Sequence, residues 1–209
     1  MEGVPTNQRN DQTQFEGYNV CNQETWSAGY NEVMLPVPDV PITWLVNLVN
    51  GYGHRPRAES KESENPYPDQ CGAPPSFLVD INQADLVDLA DRIWDVFGDP
   101  DPAGRAAALN SLLTAAKLSP AIDANGDRLW RARHTRDNDL LRAGCTVALL
   151  GAVQTNGWHR LGICDGADCV DVYIDERGRT PRRYCSRICL NRARIRAYRS
   201  RQTTQPQPA

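Results

Sequence analysis

No apolar run in the 209-residue sequence approaches the roughly 20 residues a membrane-spanning helix needs, which argues against a membrane protein. The opening MEGVPTNQRNDQTQ is polar and lacks the basic-then-apolar order of a secretory signal, so a soluble, cytoplasmic protein is expected. Lysine is scarce, 2 against 21 arginines, a bias that GC-rich coding can produce and that by itself decides nothing. No internal repeat or heptad declares itself. No paired nucleophile and base, open metal site or phosphate-cradling loop is visible, so an enzyme is not expected. Seven cysteines in a reducing compartment point to metal ligands or plain thiols before disulfides.

The length suits one ordinary domain with a small one appended, and 15 prolines with 15 glycines imply that part of the chain is unpacked. A net charge of −3 hides an asymmetry. Arg177 to Arg201 holds ten arginines and no acid, which leaves the first 176 residues with 13 basic and 26 acidic groups. A basic end on an acidic body is the pattern of a polyanion-binding appendage.

Residues 1–38, rich in Asn, Gln, Glu and Gly, read as a largely disordered tail. The first apolar stretch, Pro41 to Asn50, is a short helix or strand, and a long polar loop, 53–75, follows it. Helical signals then dominate. Asn82 caps a run with Leu86, Leu89, Ala90, Ile93, Trp94 and Phe97 at helical spacing, stopped by Gly98. A second helix starts near Pro102 and ends before Ser119-Pro120, Asn125-Gly126 is a turn, and a third helix spans Asp137 to Val153. The fold class expected is mainly α: a helical domain over 39–157, a small zinc finger over 158–201, and a disordered tail over 202–209.

The finger rests on spacing. Cys164-x4-Cys169, fifteen residues, then Cys185-x3-Cys189 offers four thiolates to one tetrahedral Zn²⁺, a closed and therefore structural site. Val170 to Ile174 alternates as a strand, Asp175 to Gly178 turns, and Thr180 to Tyr184 returns, so knuckle, hairpin, knuckle and helix describe a treble clef. A module of about 40 residues needs such a staple. Two disulfides, or four unrelated thiols, are the competing reading.

From Ser186 one helix is expected. Arg187, Asn191, Arg194, Tyr198 and Arg201 share a face, and Cys189, Ala193 and Ala197 lie opposite, small enough to sit on the knuckle. Arg192, Arg196 and Arg199 flank the outward face, and Arg182 and Arg183 precede the helix. Guanidinium forks suit phosphates and guanine edges, and an asparagine suits adenine. A basic helix that merely keeps the protein soluble is the competing reading.

The stretch Arg183-Tyr-Cys-Ser-Arg-Ile-Cys-Leu-Asn-Arg192, with ARIRAYRSR after it and Cys164 and Cys169 before it, resembles the CGNR zinc-finger proteins of bacteria. The signature Cys-Gly-Asn-Arg stands here as Cys189-Leu190-Asn191-Arg192. In that family an N-terminal ABATE domain precedes the finger. Leu45-Val-Asn-Leu-Val-Asn-Gly51 with Arg55 is similar to a degenerate form of its opening, Leu-Asp-Phe-Val-Asn-Thr before an Arg. The resemblance implies a stress- or metabolite-responsive transcriptional regulator, with the finger on DNA and the helical domain sensing.

Other residues carry less. Asp123-Ala-Asn-Gly-Asp127 lacks calcium-loop spacing and reads as a plain turn. His54, His134 and His159 are isolated, and His159 is a weaker ligand candidate than the four cysteines. Cys145 and the tryptophans Trp44, Trp94 and Trp130 read as core, whereas Cys21 and Cys71 have no paired spacing. Asn47 and Arg55 are the candidates for a ligand site in the helical domain, because an Asn in an apolar stretch needs a partner.

A DNA-binding regulator on double-stranded DNA is therefore expected, with Asn191, Arg194 or Tyr198 supplying base preference. The alternative is an adaptor whose finger binds an acidic partner such as a transcription-machinery subunit. A single aromatic offers RNA too little stacking surface. A homodimer would extend the few base pairs that one finger reads.

Overall fold

Pro41 (φ −58°) sets the chain entering helix α1 (Ile42–Tyr52), so the apolar stretch is a helix rather than a strand. Trp44, Leu45, Leu48, Val49 and Tyr52 form its buried stripe. The computed structural model describes residues 33–68, 81–134, 137–176 and 181–203. Cys21 and Cys71 fall outside these.

The polar segment after α1 is more ordered than its composition suggests. Helix α2 (His54–Glu59) occupies its start, and Arg57 is only 4 % exposed. Its guanidinium donates to the carbonyls of Glu62 and Asn65 and lies 4.1 Å from the Tyr67 ring centroid. The chain after α2 is thus wound around one buried cation, which replaces the apolar core such a segment lacks. The expected loop over 53–75 therefore gives way to a helix over 54–59; its residues 69–75 lie outside the described residues.

Helix α3 (Gln83–Gly98) begins where Asn82 Oδ1 accepts from the amide of Asp85, 3.0 Å away. Helix α4 (Pro102–Ala116) has Asp101 as its cap and proline at the start, where no amide partner is needed. Two antiparallel strands follow, β2 (Leu118–Ile122) and β3 (Arg128–His134). Asp123 Oδ1 accepts from the amides of Asn125 and Asp127 in the turn between them, so the Asp-Ala-Asn-Gly-Asp segment is a hairpin turn.

An additional strand precedes α1. β1 (Val33–Pro36) pairs with β3 and gives a three-stranded sheet in the order β1-β3-β2. This corrects the reading of residues 1–38 as tail, of which 1–32 lie outside the described residues. Helix α5 (Asp137–Asn156) packs on β3 and α4 and ends at Gly157, whose φ of +76° suits a residue without Cβ.

After a turn of 3₁₀ helix at Trp158–Arg160 come β4 (Leu161–Ile163) and β5 (Val172–Ile174), paired antiparallel. The expected hairpin partner of β5, Thr180 to Tyr184, is not a strand over 181–184; β4 takes that place because Leu161 and Val172 are apolar anchors buried in the helical core. Helix α6 (Arg187–Thr203) ends the described chain and runs into the expected 202–209 tail. One core cluster joins α1, α3, α4 and α5 to Leu161 and Val172, so the finger's hairpin is rooted in the helical body.

Candidate metal centre and basic helix

Three side chains of the body hold the finger by its backbone. Asn50 accepts from the amide of Val172 (2.8 Å) and donates to its carbonyl (3.0 Å). Trp94 Nε1 donates to the Val170 carbonyl (3.1 Å). Arg105 donates to the carbonyls of Trp158 and Leu161. Within the finger, Arg160 pairs at 2.8 Å with the buried Asp175, whose carboxylate also accepts from the Arg182 amide. Gly162 is required where the Tyr173 ring crosses it, since a Cβ there would come within 2.5 Å of the ring. Burial, with Asp165 nearby, raises the Tyr173 phenol above its ordinary pKa, and the neutral hydroxyl donates to the Arg182 carbonyl.

This scaffold brings Cys164, Cys169, Cys185 and Cys189 together, with all four Sγ atoms within 4.8 Å of one another. Cys169 and Cys185 are 3.7 Å apart and Cys185 and Cys189 3.6 Å. A tetrahedron with zinc–sulfur bonds of about 2.3 Å has edges of about 3.8 Å. A disulfide would need about 2.05 Å, so the competing pairing does not fit. The Gly166 amide donates to Cys164 Sγ (3.3 Å), and Ser186 Oγ accepts from the Cys189 amide (3.2 Å), capping α6 at the second knuckle. His159 is exposed and stands outside the cluster.

The electrostatics ask for a cation. Burial, with the Asp171 carboxylate close by, pushes the Cys169 thiol up to about 12 and the Cys185 thiol higher still. Cys189 moves the other way: burial opposes its thiolate, but hydrogen bonds from Ser186 and the neighbouring cysteines outweigh that. Four such sulfurs can be thiolates together only around a metal ion. Bound zinc supplies that charge and a cross-link between the two knuckles, and four protein ligands leave no open position for chemistry.

Helix α6 leaves the centre and projects. Cys189 is buried and Leu190 and Ala193 are half-buried, but every residue from Arg194 to Gln202 is exposed. Ala197, expected against the knuckle, is among them, because the knuckle ends a turn earlier. Arg182, Arg183, Arg187, Asn191, Arg192, Arg194, Arg196, Tyr198, Arg199 and Arg201 are all exposed. Arg183 pairs with Asp165 (2.7 Å) and Arg196 with Asp168 (3.6 Å). A cleft of about 500 Å³ beside the start of α6 has Arg182, Arg183 and Arg187 in its lining.

The two residues expected to bind a ligand, Asn47 and Arg55, lie on α1 and α2. Asn47 is exposed on α1, and Arg55 lies 4.2 Å from the Trp94 ring centroid with Asp95 at 3.7 Å. In the same segment Asn50 and Arg57 bond backbone groups of Val172 and of Glu62 and Asn65. Asn47 and Asn50 look alike in the apolar stretch, and the fold sets Asn50 against the backbone of Val172.

The body and the site together define a zinc-finger protein: a helical domain with a four-cysteine structural centre and a projecting basic helix. Residues 160–202 match the CGNR zinc finger. Residues 41–154, more than half of the chain, match the ABATE family, described as "Putative stress-induced transcription regulator", and the chain belongs to that family. A comparison with curated proteins gave no match. No helix among the described residues is long and apolar enough to cross a membrane.

Proposed function

We propose that the protein is a zinc-dependent, DNA-binding transcriptional regulator, in which α6 contacts duplex DNA and the helical body senses a ligand or mediates assembly. The observation that carries the reading is the exposure of α6 on all sides from Arg194 onward, with arginines along its length and no acid from Arg187 to Thr203. Guanidinium groups at this density, on a helix that projects from the body, call for a polyanion. Zinc fixes the helix's root, and thus its direction from the body. The site binds rather than catalyses, since the four thiolates fill the metal's coordination.

The test is fluorescence anisotropy of a labelled duplex with the full chain, across salt concentrations, with zinc and after chelation. Binding should fall linearly on a log–log salt plot, with a slope near −0.9 for each phosphate neutralised, and should vanish on chelation. Cys185→Ser should remove zinc, worth on the order of 10 kcal/mol to such modules, and DNA binding with it. Zinc retention and undiminished binding by that variant would sink the ligand assignment. Absence of duplex binding by the wild-type zinc form would remove the DNA reading and leave an acidic protein surface as the partner of α6.

A further inference from the structure

Four large apolar side chains are prominently exposed among the described residues: Ile122 at 68 %, Ile188 at 63 %, Tyr198 at 58 % and Ile195 at 52 %. Three of the four stand on α6. A scattered exposed isoleucine needs no explanation, whereas a stripe does. At about 100° per residue, Ile188 and Ile195 lie about 20° apart, and Asn191 and Tyr198 fall within about 80° of Ile188 on one side. This stripe faces away from Cys189 and Ala193, so zinc-site packing does not account for it. Arg187, Arg194 and Arg201, seven residues apart, run along one border of the stripe; Arg192, Arg199 and Arg196 run along the other. Arg187, Arg192 and Arg194 make no ion pair among the described residues, so their charge is available.

An apolar floor between two cationic rails has a specific complement. The major groove of B-DNA is about 12 Å wide, admits a helix, carries phosphates on both rims and displays thymine methyl groups on its floor. Ile188 and Ile195 are about 10.5 Å apart along the helix axis, which spans about three base-pair steps. A second copy of the chain fits less well. The seven-residue spacing would set arginine rail against arginine rail, and the 17 residues of α6 fall short of the three to four heptads of a coiled coil.

We infer that Ile188 and Ile195 are specificity-determining residues that read thymine methyl groups in the major groove, with Asn191 between them on an adenine and the arginine rails on the two phosphate backbones. The inference rests on the DNA-binding reading and names the class of its target, duplexes with thymines about three steps apart. It also assigns Arg194 to a phosphate rail, whereas base preference comes from the isoleucines and asparagine.

The experiment begins with selection of randomised duplexes by the full zinc-loaded chain, followed by replacement of each thymine in the recovered duplex with deoxyuridine. That exchange removes only the methyl group and keeps every hydrogen-bonding group. Wild-type protein should lose about 3- to 10-fold in affinity at one or two positions, as expected for uncovering a methyl-sized contact. Ile195→Ala should bind the thymine duplex more weakly by a similar factor and be indifferent to deoxyuridine. The site is exposed and alanine favours helix, so the variant keeps its fold, which its zinc content checks. Ile122→Ala, equally exposed but on β2, should behave as wild type. Equal wild-type affinity for thymine and deoxyuridine duplexes overturns the methyl reading while leaving DNA binding intact. Failure to hold any duplex while binding an acidic amphipathic helical peptide through Ile195 overturns both.

Discussion

At the scale of single residues, the four cysteines set the conditions under which the finger exists. The metal-free thiols of Cys169 and Cys185 are held protonated by burial beside Asp171, Cys169 up to about 12. Zinc needs thiolates, so binding expels those protons, and affinity must rise with pH and fall as pH is lowered. Each proton released changes affinity by about tenfold per pH unit over the range in which its thiol is protonated. Competition with a chromophoric chelator between about pH 6 and 8 measures this. A pH-independent zinc affinity would mean that the thiolates pre-exist and that burial is not what restrains them. The spacing of these four residues made the ligand set legible at once, because knuckle pairs are local. Asn50 and Arg57 were not legible in the same way: each serves backbone that the sequence does not mark as near, Val172 in one case and the Glu62 and Asn65 carbonyls in the other.

At the scale of elements, the helices announced themselves through their ends. Asn82 with Asp85, Asp101 with Pro102, and Gly157 are start and stop signals whose chemistry lies within a few residues. The three-stranded sheet hid because its pairings are remote and its strands are unlike sheet sequences. β2 carries Pro120, tolerated because β2 is an edge strand, and the central strand β3 reads Arg-Leu-Trp-Arg-Ala-Arg-His. The pairing of β5 with β4 is hidden for a related reason, three residues of strand being too few to show a period. Helix α6 was legible in extent and charge, but not in how far it projects. Its rails yield a specific expectation for Arg194→Ala. Affinity should fall by a similar factor on every duplex, and the salt slope should become shallower by about one unit, as for a lost phosphate contact. A loss confined to one sequence would place Arg194 on a base instead.

At the scale of the molecule, the boundary near residue 157 separates two sequence families but not two cores. Leu161 and Val172 of the finger are buried with the residues of α1 and α3, and the body's Asn50, Trp94 and Arg105 all bond the finger's backbone. Zinc should therefore stabilise the helical body as well as the finger. With zinc at about a thousand times its dissociation constant, linkage gives about 4 kcal/mol. Chelation should lower the melting temperature followed by helical circular dichroism, with tryptophan fluorescence moving in the same transition. Two separated transitions, with the helical one unmoved by chelation, would show that the shared core does not couple them.

The two hydrogen bonds of Asn50 have another consequence. The amide and carbonyl of Val172 point away from β4, toward the side of the hairpin where a third strand would add. A primary amide side chain carries the same donor and acceptor as a peptide group, so Asn50 occupies the place of a neighbouring strand with one residue. The β5 edge of the finger's short sheet is thereby closed to strands from other molecules, a safeguard against edge-to-edge aggregation on that side.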